Sequence, residues 1–529
     1  MPFGNTVNPL FLAAAMSTRT FASLLLPLFA VACLVVAYLT GHELRAGMVN
    51  ADGLYLPTLF DDLLRHGGRF STWYLTPVPY FFPDYPMFLA AYWLGPDAYL
   101  QIVIFSALQC VLLLSAIYLF ARTLRIEAAL PCAAFSLTLL AWLALSAREP
   151  FVLLLWNGWH FGGFIVTLLA LAAWQRFADG GGYRALGLAC ALAFLTTLSD
   201  SLFLLQAAVP LACAASARML LERDYLAGRR LRLALPWMPA AAALLGHMSY
   251  KVVVPHATRY SAQMDLHHLA ANLHDLHAIA LQLWNALPLA VLCWLALFVI
   301  ALACAVRLAL RRDPFGLPRP LAWLLVFWLI SLAGQVAVSL LVHNLPMAAR
   351  YFIPAACWPI LLAPMMAAHL LRGRAPALLL AGTLACAVGT GVATLRQWQA
   401  HPIERAYYPE DVACVDRALV GTGLRYGIAQ YWDAKLFQGF SHQGIVLAQH
   451  LESLEELPWI TTTRYFRPAY DFALIGPKAP PPHYIPPEKL VAINGQPAAQ
   501  VRCGSYTLML YGQDKLKVTR GAVAARWKP

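Results

Sequence analysis

Charge is what this sequence has least of. Only 12% of its 529 residues are charged, about half the share of an ordinary soluble chain, and acidic residues are fewer than basic ones, 26 against 38. With 60% of positions hydrophobic, this composition excludes both a disordered chain and an average water-soluble domain. There is no internal repeat, no low-complexity tract and no nucleotide-sugar motif of the soluble type. Cysteine is almost absent outside the apolar blocks: nine of the eleven fall inside them, where the thiol behaves as a small apolar group. Only Cys414 and Cys503 lie beyond, and in an oxidising compartment they are expected to form a disulfide. The first twenty residues lack a cleavage site, and the first apolar block is too long for an ordinary signal peptide, so it reads as an uncleaved signal anchor.

What is present falls into blocks of about 17 to 25 apolar residues, the length that carries a helix across roughly 30 Å of hydrocarbon. They run near 21–41, 98–121, 129–147, 161–177, 184–198, 202–221, 233–250, 279–306, 321–342, 352–371 and 376–395, about eleven spans in all. The formal charge of +12 would suit nucleic acid, but the basic residues lie between the spans. Arg122, Arg125, Arg176, Arg184, the arginines of 218–232 and of 307–319, Arg372 and Arg374 fall on alternate loops, and the opposite loops carry far fewer. That bias places the N-terminus in the cytoplasm. An odd number of spans then places the tail outside. The expected fold is a polytopic α-helical membrane protein, with a transmembrane domain over 1–396 and a C-terminal extracytoplasmic α/β domain over 397–529.

The first external loop, 42–97, is long. Leu56, Leu59, Phe60, Leu63 and Leu64 recur at helical spacing with Asp61, Asp62 and Arg65 on the other side, which predicts a short interfacial helix ended by Gly67 and Gly68. The next stretch sets Pro77, Pro79, Pro83 and Pro86 among aromatics, so it is expected to be an irregular, proline-stiffened surface segment. In the tail, strand-like runs occur at RYGIAQY, GIVLAQH, YDFALIG, KLVAING and YTLMLYG, and a helical stretch near 409–420 favours an α/β over an all-β domain.

Charged groups near a membrane are costly unless paired, hydrated or used. Asp52 lies just ahead of the predicted interfacial helix, where it serves either as an N-cap alone or also as a catalytic or binding group. Asp84, in PYFFPDYP, is a turn residue or a functional one. Glu149, Trp156, Trp159 and His160 mark an external turn that suits either a sugar face or an interfacial girdle, while Asp200 in LSDS fits a tight outer hairpin. His343 ends the ninth span. The loop 251–278 is rich in histidine, but His267, His274, Asp275 and His277 fit a solvated amphipathic helix better than a zinc site, so no metal ligand is assigned.

The arrangement resembles the polyprenyl-phosphate-sugar-dependent glycosyltransferases of the GT-C superfamily. The likeness rests on a long first external loop with an acidic residue soon after span one, interfacial helices within it, many spans and an outer C-terminal domain. NLPMAARYFIPAACWPIL (344–361) is similar to an Arg-Tyr stretch that begins a late span in such enzymes. The resemblance implies a lipid-linked donor, with Asp52 or Asp84 as catalytic carboxylates. Arg350 and Tyr351 would bind the phosphate with help from Lys251 and Arg259, and Trp159, His160 and His343 would contact sugar or acceptor. Many relatives carry two adjacent acidic residues where this chain has Asp52-Gly53, which leaves Asp61, Asp62 and Asp84 as alternatives. Some use a divalent cation; no other cofactor is implied.

The reading is then of transfer from a polyprenyl-phosphate-linked sugar to a lipid, polysaccharide or protein acceptor, on the periplasmic face of a bacterial inner membrane, with no nucleic acid partner. A transporter or lipid flippase is the second reading, but it predicts ionisable residues at mid-membrane, where this sequence has almost none. A non-catalytic envelope assembly protein is the third.

Overall fold

A computed structural model describes residues 18–41, 43–146, 148–222, 234–254, 256, 263–342, 347–479 and 482–519. Every apolar block is helical in it. The membrane part comprises α1 (Thr18–Leu39), α2 (Glu43–Met48), α3 (Tyr55–Arg65), α4 (Asp84–Leu94), α5 (Ala98–Thr123), α6 (Ala129–Ala144), α7 (Phe161–Ala178), α8 (Gly182–Ser199), α9 (Val209–Leu221), α10 (Met238–Val253), α11 (Leu269–Ala286), α12 (Pro288–Ala309), α13 (Arg319–Leu341), α14 (Ile353–Leu370) and α15 (Ala375–Ala400). Among the described residues nine helical stretches are long and apolar enough to cross a membrane. Helices α6 and α10 have 16 residues each, about 24 Å of rise. Short as it is, α6 is enclosed by α1, α5, α14 and α15, while α10 lies along α8.

One expected boundary is wrong. The block 279–306 is not a single span, because the helix breaks at Leu287 and a new one starts at Pro288. Proline opens a helix readily but cannot continue one, having no N–H to give and a ring that crowds the preceding turn. The residues before it form α11, an exposed helix beside α13 that takes in part of the histidine-rich loop.

The first loop also departs from expectation in two places. In α3, Asp62 faces inward at 3% exposure and Leu64 outward, because the Asp62 carboxylate accepts from Trp73 Nε1 at 2.8 Å and pairs with Arg464 at 2.9 Å. The proline-rich segment becomes helical from Asp84, since Pro86 falls in the first turn of α4, where no N–H is needed.

The tail contains α16 (Glu410–Leu419), β2 (Tyr426–Ala429), α17 (Tyr431–Phe440), β3 (Val446–Gln449), β4 (Thr461–Thr462), β5 (Ala469–Tyr470), β6 (Phe472–Ile475), α18 (Pro487–Asn494), β7 (Ala499–Cys503), β8 (Tyr506–Leu510) and β9 (Leu516–Lys517). The main sheet runs β3-β2-β6-β8-β7, with β2 parallel to β3 and β6, and with β8 antiparallel to β6 and β7. KLVAING, expected as a strand, is helix α18: proline opens it, Glu488 sits in the first turn, and Gly495 at φ +76° ends it. The tail does not stand apart from the first loop. Strand β1 (Trp73–Tyr74) pairs antiparallel with β4, Thr72 Oγ1 lies 2.9 Å from Thr462 Oγ1, and Arg45 pairs with Glu404. Loop and tail therefore meet at one end of the helical bundle.

Cys414 and Cys503 are joined as a disulfide with Cα atoms 5.5 Å apart, tying α16 to the edge strand β7 across 89 residues. Closing a loop of that length removes about 4.6 kcal/mol of chain entropy from the unfolded tail. Replacing both cysteines with serine should lower the melting temperature of the tail, followed by limited proteolysis of the full chain. The unreduced wild type should also run ahead of its reduced form in denaturing gels.

Candidate functional site

The site begins with a backbone problem. The turn Phe151–Leu155 lies buried at the end of the bundle, where carbonyls without donors are costly. The bundle supplies donors from its own helices: Tyr38 Oη donates to Leu155 O at 3.0 Å, Gln109 Nε2 to Leu154 O at 2.6 Å, and Ser106 Oγ also to Leu155 O. The following segment, Trp156 to His160, is thereby held against the first loop. Asn157 Nδ2 donates to Gly53 O at 2.9 Å. Gly158 sits at φ +73°, and a Cβ on it would come within 3.2 Å of the Tyr80 ring.

Helix α7 then starts with Gly162 and Gly163, against which two carboxylates lie. A Cβ at Gly162 would fall 2.5 Å from Asp84 Oδ2, and one at Gly163 3.6 Å from Asp200 Oδ2. Asp84 is 3% exposed. Burial pushes its carboxyl up to about 7, the neighbouring Asp200 charge pushes the same way, and the Gly158 N–H, 3.4 Å from Oδ1, opposes them. Asp200 Oδ2 lies 2.7 Å from His160 Nδ1, and both side chains are shielded, at 6% and 7% exposure. The free N–H groups at the start of α7 favour negative charge at this spot.

Opposite stands Arg350, its guanidinium over the Trp159 ring at 5.1 Å and the Tyr351 ring at 5.3 Å. Gln206 Nε2 donates to Tyr351 O at 2.9 Å, and Ser331 Oγ to Gln206 O at 2.6 Å. The π-helical turn Leu204–Ala208 thus positions the arginine. Burial raises the Glu149 carboxyl, while the Arg350 charge draws it back down. Tyr80 is the hub. Its hydroxyl is driven well above the usual phenol range, first by burial and then by the Asp200 charge, with Asp52 and Asp84 adding and Arg350 opposing.

Asp52 does not cap α3 with its side chain. The position before that helix is Leu54, and only the Asp52 carbonyl takes part, accepting from Tyr55 N at 3.1 Å. Its carboxylate instead accepts from the hydroxyl of Tyr431, at the start of α17 in the tail. The chain has no acidic pair here for a steric reason: a Cβ at position 53 would lie 1.9 Å from Met48 O, so only glycine fits. Behind Tyr431, Lys435 is 3% exposed with Nζ 4.8 Å from the Tyr431 ring. Burial pushes its ammonium down to about 7, against the pull of the Asp52 charge.

The structure thus brings together Asp84, Trp159, His160, Arg350 and Tyr351, while the Asp52 carboxylate is held by Tyr431 of the tail and reaches Tyr80 only through its charge. The alternatives Asp61 and Asp62 are engaged elsewhere, with Arg65 and His66 in one case and with Arg464 and Trp73 in the other. Arg259 and His343 lie outside the described residues, as does the Lys251 side chain. Asp200 is more than the turn residue expected, since it also holds His160. Tyr80, Tyr431 and Lys435 carried no signal in the sequence. Among the described residues no three His, Cys, Asp or Glu side chains gather as a metal site. A separate, partly open apolar cleft, lined by Phe120, Trp174, Trp323 and Phe327 among others, lies at the opposite end of the bundle. Its Arg218 is paired with Glu222 at 2.8 Å.

Asp84 binds its proton more tightly folded than unfolded, so the stability it contributes is full below about 3.8 and is lost as pH rises through about 7. Asp84→Asn should remove that loss. Relative to wild type, the variant's melting temperature in detergent should be higher at pH 8 than at pH 5, corresponding to about 2–4 kcal/mol. Among known proteins, the chain matches no family model and no curated sequence.

Proposed function

We propose that this protein is a membrane glycosyltransferase of GT-C type that moves a sugar from a polyprenyl phosphate to a lipid, polysaccharide or protein acceptor at the periplasmic face of an inner membrane. The observation that carries this reading is the gathering of the Asp84 and Asp200 carboxylates and the Arg350 guanidinium about the loop from Gly158 to His160, at a single end of the bundle. Transfer from a phosphate needs a base for the acceptor's proton and a cation for the departing anion, and both gain from being fixed in advance. Asp52 takes the proton. Asp84, pushed up to about 7, is half protonated near neutral pH and so serves as a hydrogen-bond donor to the sugar rather than as the base. Arg350 holds the phosphate with its planar fork, and Trp159 offers a face for the sugar. A single displacement from these positions inverts the sugar.

The proposed topology has support from pairings at both ends. Loops expected outside contact one another: Tyr250 Oη donates to Thr76 O at 2.9 Å and His256 stacks near Tyr74. Loops expected inside do likewise, with Arg125 beside Asp179 and Arg319 beside Glu222. An even number of crossings between the first loop and the tail fits eleven spans. Acidic groups collected mainly at the outer edge, with span interiors almost free of charge, favour surface chemistry over a transport path.

Asp52→Asn, with the protein still present in the membrane, should cut transfer by about 10²–10⁴-fold. The check is mass spectrometry of envelope glycans and lipids from a strain lacking the chain, complemented with wild type or variant; full restoration by the variant would point to an assembly role instead. Arg350→Lys keeps the charge but loses the fork, and should weaken donor binding by about tenfold with a smaller effect on turnover.

A further inference from the structure

The pair His160–Asp200 has no task in the reaction as drawn so far. It is nevertheless the most enclosed ionisable pair at this end of the molecule, at 2.7 Å with both side chains shielded. The backbone adds a second observation. His160 is held at φ +70° and Tyr80 at φ +62°, a region that L side chains seldom adopt, and their rings meet edge to face at 5.6 Å. Strain of this kind persists where surrounding structure enforces it, and it gathers at functional sites. A purely structural staple between the α8 terminus and the 156–160 loop would need neither residue in that conformation.

The imidazole meets the Tyr80 ring of the first loop, the Tyr351 ring of the turn before α14 and the Asp200 carboxylate of the α8–α9 turn, and around these partners stand Asp84 beside Gly158, Arg350 over Tyr351, and Glu149 within reach of the Arg350 charge. Its ring is 5.8 Å from that of Tyr351, which in turn lies beneath the Arg350 guanidinium. Asp200 takes Nδ1–H and so fixes the tautomer. Nε2 has no hydrogen bond among the described residues.

We infer that His160, oriented by Asp200, is the proton donor to the phosphate that leaves, an inference that rests on the glycosyl-transfer reading. In the step, the bond from sugar C1 to the phosphate oxygen breaks and its electron pair stays on that oxygen. The acceptor oxygen forms the new bond to C1 and gives its proton to Asp52, while imidazolium Nε2–H passes a proton to the freed phosphate monoester. Asp52 then releases a proton to water and His160 takes one up, so none is consumed per turnover. A phosphate monoester has its second ionisation near about 6, so the freed oxygen can accept a proton near neutral pH.

The test uses the leaving group itself, a polyprenyl monophosphate, with the full chain in nanodiscs. Binding to wild type should weaken by up to about tenfold per pH unit between pH 6 and 8, because the complex holds one shared proton. His160→Gln should flatten that slope. Asp200→Asn keeps the hydrogen-bonding shape but removes the charge, and should move the midpoint to lower pH. Should either variant fail to fold, ³¹P titration of the phosphate bound to wild type serves instead, with the bound monoester expected to keep its proton at higher pH than the free one. A wild-type pH slope retained in His160→Gln, or an unshifted ³¹P titration, overturns the inference and leaves the transfer reading intact. Failure of wild type to bind the phosphate at all, or binding indifferent to Arg350→Lys, overturns both.

Discussion

A loop buried at the end of a helical bundle must have its carbonyls satisfied by something other than water, and the candidate site depends on how this chain meets that demand. Tyr38 on α1 and Ser106 and Gln109 on α5 are polar residues on otherwise apolar helices, and each gives its hydrogen to the carbonyls of Leu154 or Leu155. Their placement explains why the segment from Trp156 to His160 is pinned beside α7 rather than lying in the headgroup region. Once pinned, it delivers three things at once: the Gly158 N–H to Asp84, the Trp159 ring beneath Arg350, and the His160 imidazole to Asp200. Three side chains on two helices thus define where the loop can be, and the loop defines the site.

The electrostatics follow from that geometry. Asp84 and Asp200 sit against the two glycines in the first turn of α7, where missing side chains let the carboxylates approach and the positive end of the helix dipole softens the cost of negative charge. Arg350 is held across from them by the turn that Gln206 anchors. Tyr80 lies between and feels both signs. An uncharged group at such a point is surrounded by charges fixed before any substrate arrives, and this is the condition under which hydrogen bonds and dipoles act most strongly on developing charge.

Much of the membrane architecture was legible because hydropathy over twenty residues is a strong signal and alternate-loop arginines are a second, independent one. Boundaries suffered where a single residue overrides composition, as Pro288 does. Short apolar runs misled for a different reason: KLVAI suits a strand or a helical turn equally, and the deciding features were the flanking proline and glycine. Asp84, Arg350 and Trp159 could be picked out because a polar or aromatic group at a membrane edge invites explanation. Tyr431 could not, since its partner Asp52 is 379 residues away and nothing local distinguishes it from any surface tyrosine. Asp62 faces inward for the same reason, its guanidinium partner being 402 residues distant.

The two carboxylates named from the sequence end in contrasting surroundings, and the roles proposed for them rest on that contrast. Asp84 is enclosed by Pro83, Gly158 and Gly162, with another acid nearby, so burial and like charge both favour its neutral form. Asp52 meets a phenol hydroxyl from the tail, with a buried lysine behind that phenol. The lysine is expensive, since burial pushes its ammonium down to about 7 even against the pull of the Asp52 charge, and a core of packed apolar side chains there would be more stable. Asp52 is the charge that opposes the effect of burial on it. The tail is on this evidence a part of the site's wall rather than an appended module, because removing it would strip Asp52 of its hydrogen-bond donor and Asp62 of its counter-charge in one step.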